Sequence, residues 1–391
     1  MRIAFVSSYD STHVQTAWSG TGYFMPRALE QHPDINVLRA GPFHEPWKRL
    51  LQVKQAFYRY LLDDRTHLRD LEPITIRSYA RQAERALRKS DADILLTTDP
   101  RFVRGIDKAN SLKSLPFAVW GDATFDNLVG FYERYSNLSK PSLQRGHELW
   151  KWSARKASCL IFSSDWAAQS AIDTYGADPK HVHVVSFGTN LKQAPARTEA
   201  EASIALRSRD VCKLLFMSVD WKRKGGDTAV EVARTLNDQG LPTTLTVVGC
   251  KPEIDEPFPR WIEPLGYISK HTEDGFSRLH DVLSKSHFLV LPTLADCTPM
   301  VFAEANAYGV PVLSRSVGGI PTIVREGING YLFSPDADPQ AYSDRIQEVF
   351  SDYRAYEQLA MRSRHEQETR LNWNTAAASV VAILRDRLAV P

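Results

Sequence analysis

The chain has 391 residues, of which 43% are hydrophobic and 24% charged, with a net charge of +2. That length exceeds one ordinary hydrophobic core and predicts two domains. The balance excludes a disordered chain, the lack of an apolar run of about 18 residues excludes a membrane span, and the near-neutral charge offers no footing for nucleic acid.

The charge is uneven. Residues 1–200 carry 27 Lys and Arg against 21 Asp and Glu, and the remainder carries 21 against 25. The basic first half suits an anionic ligand or an anionic membrane surface. MRIAFVSSYD enters strand-like sequence without the apolar core of a signal peptide, and the four cysteines (Cys159, Cys212, Cys250, Cys297) form no CxxC pair. A cytoplasmic chain with reduced core thiols is expected.

In chain order, RIAFVSSY (2–9), ADILLTT (92–98), PFAVW (116–120), CLIFSS (159–164) and VHVVSF (182–187) read as buried parallel strands. Helical patterns lie between them, including TIRSYARQAERALRKS and LQRGHELWKWSARKA. EPWKRLLQVKQAFYRYLL (45–62) interleaves Trp47, Leu50, Leu51, Phe57, Tyr58 and Leu61 with Lys48, Arg49, Lys54 and Arg59. Such a helix either lies on an anionic membrane surface or packs on its own domain.

The pattern fades after residue 190, so residues 1–190 are expected to form one domain and 191–210 a linker with one short helical piece. It restarts with KLLFMSV (213–219), a helix from Asp227, TTLTVVG (243–249), a helix from Glu273, HFLVLP (287–292), a helix from Pro299 and VPVLSR (310–315). A second domain over 211–370 follows, with 371–391 a last helix returning to the first domain. Two doubly wound α/β domains in series are predicted.

The chemistry concentrates in LPTLADCTPMVFAEANAYGVPVLSR (291–315). Thr298 and Pro299 suit the cap and first position of a helix. The N–H groups of Met300 and Val301 would then face a phosphate at the positive helix end. Glu304, roughly 7 Å further along the axis, fits a ribose. Asp296 lies in the loop ahead, on the carboxyl edge of a strand. The same spacing also suits a capping acid and a buried glutamate.

Upstream, DWKRKGGDTAVEVA sets Lys222, Arg223 and Lys224 before a Gly-Gly turn and a helix start, where cations oppose the dipole and call for an anionic partner, or else form a solvated turn. SVGGIP (316–321) is a second glycine-rich junction. After the first strand, SGTG (19–22) permits close backbone approach, but without GxGxxG it argues against a dinucleotide site. GDATFDNL puts Asp122 and Thr124 at a sheet edge, as functional groups or as caps.

Together these segments resemble the retaining nucleotide-sugar glycosyltransferases of family 4. The likeness rests on Asp296-x7-Glu304 within DCTPMVFAEANAYGVPVLSRSVGGIPTIVREGINGYLF, on DWKRKGG, on FSSDWAAQSAIDTYGADPKHVHVVSFGTNL and on AWSGTGYFMPRALE. The resemblance implies the GT-B fold: α/β, two Rossmann-like doubly wound parallel-sheet domains facing a central cleft. It implies that Glu304 holds the donor ribose, that the Met300 and Val301 amides beside Thr298 meet the diphosphate or sugar, and that Asp296 contacts sugar hydroxyls. Lys224 with Arg223 would neutralise the diphosphate, and Gly20 and Gly22 would let the first domain close on the donor. Asp122 falls where many relatives carry a catalytic histidine. The first motif acid is Asp instead of the commoner Glu, and Ser218, Val219 and Asp220 stand where many relatives have Gly-Arg.

The expected activity is transfer of a hexose from a UDP-, GDP- or ADP-sugar to a glycan, lipid-linked or small-molecule hydroxyl, with no cofactor and no metal. Catalytic roles fall to Asp122, Lys224 and Asp296. Peripheral contact with the inner face of the membrane through 45–62 accompanies this reading. The alternatives are a nucleotide-sugar epimerase, an inverting transferase with His13 as base, or a non-catalytic sugar-nucleotide-binding protein.

Overall fold

The computed structural model describes residues 1–13, 18–62, 64–88, 90–106 and 115–389. Residues 14–17 of the first loop, Lys89 of the predicted 75–90 helix and the last two residues of the 371–391 helix lie outside the described residues. The chain divides into two compact units, Met1–Ser186 with Trp373–Pro391, and Phe187–Asn372.

The first unit begins β1 (Arg2–Val6), α1 (Thr21–Glu30), β2 (Asn36–Ala40), α2 (Lys48–Leu61), α3 (Pro73–Leu87) and β3 (Ile94–Thr97). It continues β4 (Phe117–Gly121), α4 (Phe125–Leu128), α5 (Lys140–Lys156), β5 (Cys159–Phe162), α6 (Asp165–Asp173) and β6 (Val182–Val184). The strands form one sheet in the order β2-β1-β3-β4-β5-β6, with every pair parallel. β3, β4 and β5 are buried at every position, as a sheet covered on both faces requires. Alternate residues Val6, Leu95, Val119 and Phe162 join Tyr79, Ala83 and Leu149 of α3 and α5 in one cluster.

The second unit contains α7 (Arg197–Ala205), β7 (Cys212–Met217), α8 (Gly226–Asp238), β8 (Thr243–Val248), β9 (Ile262–Gly266), α9 (Glu273–Lys285) and β10 (Phe288–Val290). After these come α10 (Met300–Ala307), β11 (Val312–Arg315), α11 (Ile320–Ile323), β12 (Gly330–Phe333), α12 (Pro339–Ser351) and α13 (Tyr353–Thr369). Its sheet is again parallel, in the order β12-β11-β10-β7-β8-β9. Finally α14 (Trp373–Ala389) returns to the first unit, where it packs against α1 and brings Trp373 edge-on to Trp120, with ring centroids 5.9 Å apart.

Residues 191–210, expected as a linker, lie within the second unit. Ile204 of α7 is buried in its core, and the Arg207 guanidinium donates to the carbonyls of Tyr308 and Gly309 at 2.7 and 2.8 Å and to the Tyr356 hydroxyl at 2.6 Å. Polar composition there reflects a helix with one inward side and an anchoring arginine. A second difference concerns the motif helix. It starts at Met300 with Pro299 as its N-cap and no side-chain cap, so Thr298 stands one residue outside the capping position. Proline's fixed φ suits a cap in extended backbone as well as a first helical residue.

Candidate active site

In the second sheet the chain winds outward through β7, β8 and β9, then returns to β10 on the other side of β7. The loops that follow β7 and β10 therefore diverge from neighbouring strands, paired Phe288 to Leu214 and Leu289 to Leu215. Such a switch point leaves a crevice at the carboxyl edge, the place where open α/β sheets bind ligands. Both motif segments read from the sequence leave the sheet there.

The turn after β7 is fixed from below by Trp221, which is buried against Phe216 with ring centroids 5.2 Å apart and donates from Nε1 to Asp227 at 2.8 Å. With that residue pinned, the three cations point three ways. Lys222 bonds the other Asp227 oxygen at 3.0 Å on the exposed side of the turn. Arg223 donates from Nε to Asp220 at 2.9 Å and from Nη1 to the Ala295 carbonyl at 2.8 Å. Lys224 turns inward and pairs with the Asp296 carboxylate, both side chains being largely buried.

Backbone contacts bind the two loops into one body. The Leu294 N–H donates to the Arg223 carbonyl at 2.8 Å, as does the Thr293 hydroxyl at 3.2 Å. Gly225, at φ +78°, caps α8 in the left-handed region. A Cβ there would sit 2.3 Å from the Pro292 carbonyl oxygen, so the turn can approach the end of β10 only without a side chain. The junction at 316–321 joins through the Gly319 N–H, which donates to the Asp296 carbonyl at 3.2 Å.

α10 is anchored by Asn306, whose Nδ2 donates to the Val310 carbonyl at 3.1 Å and to the Ser363 hydroxyl at 2.7 Å, while its Oδ1 accepts from Asn329 at 2.8 Å. Glu304, two residues earlier, lies roughly 200° around the helix from it. Glu304 is buried and pairs with Lys270, which follows β9. The sequence reading did not include Lys270. Its only local signal is a lysine shortly after a strand, and that strand carries none of the continuous apolar character that revealed its neighbours. Thr298, Met300 and Val301 are half-buried between the two acids along the chain, and the first N–H groups of α10 have no intrahelical acceptor. The second unit thus gathers Arg223, Lys224, Asp296, Thr298, Met300, Val301 and Glu304 on its carboxyl edge. Among the described residues no group of three His, Cys, Asp or Glu side chains is placed to hold a metal ion.

Gly20, Gly22 and Asp122 belong to the first unit. Gly20, at φ +93°, caps α1, and Gly22 is buried in that helix. Asp122 directly follows β4 and is half-buried, while Thr124 caps α4 by accepting from the Asn127 N–H at 3.3 Å. His13 is exposed and bonds Asp10 through Nδ1 at 2.9 Å. A cluster the sequence did not reveal lies near the switch point of this sheet. Asp70 accepts from Arg101 and, at 3.0 Å, from Arg134, and Arg101 also pairs with Asp99 at 2.9 Å. Burial alone would raise the Asp70 carboxyl, but the two guanidiniums hold it below its ordinary range. Burial raises the Tyr9 phenol, with Asp99 and Asp122 adding to that against Arg101.

Residues 200–366 match the family model described as glycosyl transferases group 1. A D-inositol 3-phosphate glycosyltransferase of Xylanimonas cellulosilytica is 27% identical over 237 residues, 58% of this chain and 56% of that protein. The chain thus spans about half the length of the curated relatives it matches. Sucrose-phosphate synthase from Thermosynechococcus elongatus superposes with a TM-score of 0.67 at 17% identity, covering 100% of both chains. Anabaena HepE in complex with UDP-glucose gives a TM-score of 0.61 at 16% identity, covering 99% of this chain and 100% of the other. At these identities the likeness shows the fold, the two-domain α/β fold of GT-B glycosyltransferases. Family match and fold meet on the residues that carry both ion pairs, all of them within the matched residues 200–366.

Proposed function

We propose that the chain is a retaining glycosyltransferase of family 4, which moves a hexose from a nucleotide diphosphate sugar to a hydroxyl acceptor. The observation that carries this reading is the Lys224–Asp296 pair, largely buried at the switch point of the second sheet. A donor diphosphate offers Lys224 a second anionic partner at the site where negative charge grows as the nucleotide leaves. Preorganised cations and helix N–H groups stabilise that charge, commonly the largest catalytic contribution. Glu304 takes the ribose hydroxyls, the Met300 and Val301 amides beside Thr298 take phosphate or sugar, and Asp296 takes sugar hydroxyls. Arg223 holds the basic turn against Ala295 and adds positive charge. Gly20 and Gly22 admit the donor to the first unit's backbone, and Asp122 supports the cationic sugar. Donor transfer on these groups needs no metal.

We rank UDP-sugars ahead of GDP- and ADP-sugars, a choice supported by the UDP-glucose bound to the Anabaena structural neighbour. The acceptor class remains a hydroxyl on a glycan, a lipid or a small molecule. No helix among the described residues is long and apolar enough to cross a membrane. The reading places the chain in the cytoplasm, with α2 resting on the inner membrane face. The exposure of Leu50, Val53 and Leu61 at 62%, 69% and 70%, beside Lys48, Arg49, Lys54 and Arg59, supports that contact.

A thermal-shift screen with UDP-, GDP- and ADP-hexoses tests the donor site. A donor at 100 times its dissociation constant stabilises by about 2.7 kcal/mol, and no shift with any of them would defeat the reading. One observation favours a second reading. The His13–Asp10 hydrogen bond orients an imidazole as a general base for an inverting transfer. The anomeric configuration of the product decides between the two.

A further inference from the structure

A cavity of about 480 Å³ opens between α3 and α5 of the first unit. None of its lining residues belongs to the donor site proposed above. Its floor is apolar, made by Leu71, Ile76, Ala80 and Leu149, and its walls carry Arg77, Arg81, Arg104 and Arg145 against Glu84 and Glu148. Four guanidiniums against two carboxylates leave the lining cationic, and the volume is that of a small-ligand pocket.

The arginines come from three segments of the first unit. Arg77 and Arg81 stand four apart on α3, so two like charges share one helix face, with Glu84 three residues beyond Arg81 as the one opposite charge of that helix in the lining. Arg104 is held over the Trp152 ring, 4.5 Å from its centroid. Arg145 is tied through Nη1 to Glu72 at 2.6 Å. Glu72 also receives Lys54 of α2 at 2.7 Å, so the wall of the cavity is joined to the helix with the exposed apolar side chains. Two arginines are braced by neighbours at the wall, and two more face the same space from α3.

We propose that this cavity binds an organic phosphate carrying an apolar group. The phosphate sits on Arg77, Arg81 and Arg104, and the apolar portion lies on Leu71, Ile76 and Leu149. Guanidinium forks match phosphate oxygens in charge and geometry. The apolar floor gives no reason to bind a bare anion.

The test is calorimetric titration of the intact chain with dihexanoyl phosphatidic acid below its micelle concentration. Glycerol 3-phosphate supplies the phosphate alone, and dihexanoyl phosphatidylcholine supplies the chains without net charge. The phosphatidic acid is expected to bind at least about tenfold tighter than either, and the Arg77→Gln/Arg81→Gln double variant to weaken it by about tenfold or more. Glu304→Gln, in the other unit, is expected to leave this binding unchanged. Arg81→Gln alone supplies the comparison should the double variant fold poorly. Equal binding of glycerol 3-phosphate would make the ligand a free phosphate and overturn the amphiphile. Equal binding of phosphatidylcholine would overturn the anion, and binding untouched by the arginine substitutions would overturn the site.

Discussion

Lys270 and Glu304, 34 positions apart in the chain, meet as an ion pair that joins the loop after β9 to the middle of α10. The glutamate is the more deeply buried partner, so removing the lysine strips a buried carboxylate of its counter-charge. Lys270→Ala is expected to raise the donor KM by about tenfold or more, through a Glu304 that loses its orientation. Glu304→Gln should shift KM the same way, and the two changes together should cost less than their sum. Steady-state kinetics on the three variants with one sugar nucleotide check this.

The divergence of Lys222, Arg223 and Lys224 predicts unequal effects within one turn. Lys224→Ala should lower kcat/KM by about 100-fold or more, since it removes charge stabilisation at the leaving phosphate. It should also destabilise the fold by about 3 kcal/mol, because Asp296 stays buried without its cation. Lys222→Ala, on the exposed side of the turn, should leave turnover within about twofold. Turnover assays and urea unfolding of the two proteins separate the cases.

Gly225→Ala tests the backbone itself. The left-handed φ and the nearby Pro292 carbonyl make any Cβ a strain, and a loss of about 2–4 kcal/mol is expected. Donor affinity should fall with it, because the strain is relieved by moving the turn that carries Lys224. A Gly240→Ala control, also at positive φ (+86°) but with nothing within 4 Å of its Cβ, should lose markedly less. Chemical denaturation of both variants gives the comparison.

His287 predicts an acid sensitivity. Its Nδ1 accepts from the Lys213 N–H at 2.9 Å and its Nε2 donates to the Ser208 carbonyl at 2.8 Å, a pattern that needs the neutral ring. Burial, helped by the nearby Arg207, pushes the imidazole down from 6.5 to about 3. A folded value below the unfolded one means the stabilisation is complete above pH 6.5 and is lost as the pH falls toward 3. Over that window His287 contributes a slope of at most about 1.4 kcal/mol per pH unit. His287→Phe should be less stable at pH 7 yet show a flatter decline between pH 6.5 and 4, as read from urea midpoints.

Most strands legible in the sequence were buried on both faces, the exception being the half-exposed edge strand β6, which two valines betrayed. β3, β4, β5 and β10 read as unbroken apolar runs because every residue faces a helix or another strand. The three that escaped notice, β2, β9 and β12, are edge strands. Asn36, Glu263 and Pro264 are among their exposed or half-covered positions, which carry little hydrophobic signal. The donor-side acids were legible for the opposite reason, as charges where burial was expected. Their partners were not equally visible. Lys224 stood in a recognisable basic turn, whereas Lys270 follows one of the unseen edge strands, and the Asp70–Arg101–Arg134 cluster joins segments that nothing local connects.

α14 also bears on how the molecule is made. The first unit is begun by β1 and closed by α14, with the whole second unit between them in the chain. Trp120 and the buried face of α1, with Met25 and Leu29, wait for Trp373 and its neighbours while the whole second unit is synthesised. The second unit is complete before the first has its full cover. A nonsense mutation at Trp373 would therefore injure the unit made earlier and leave the unit made later whole.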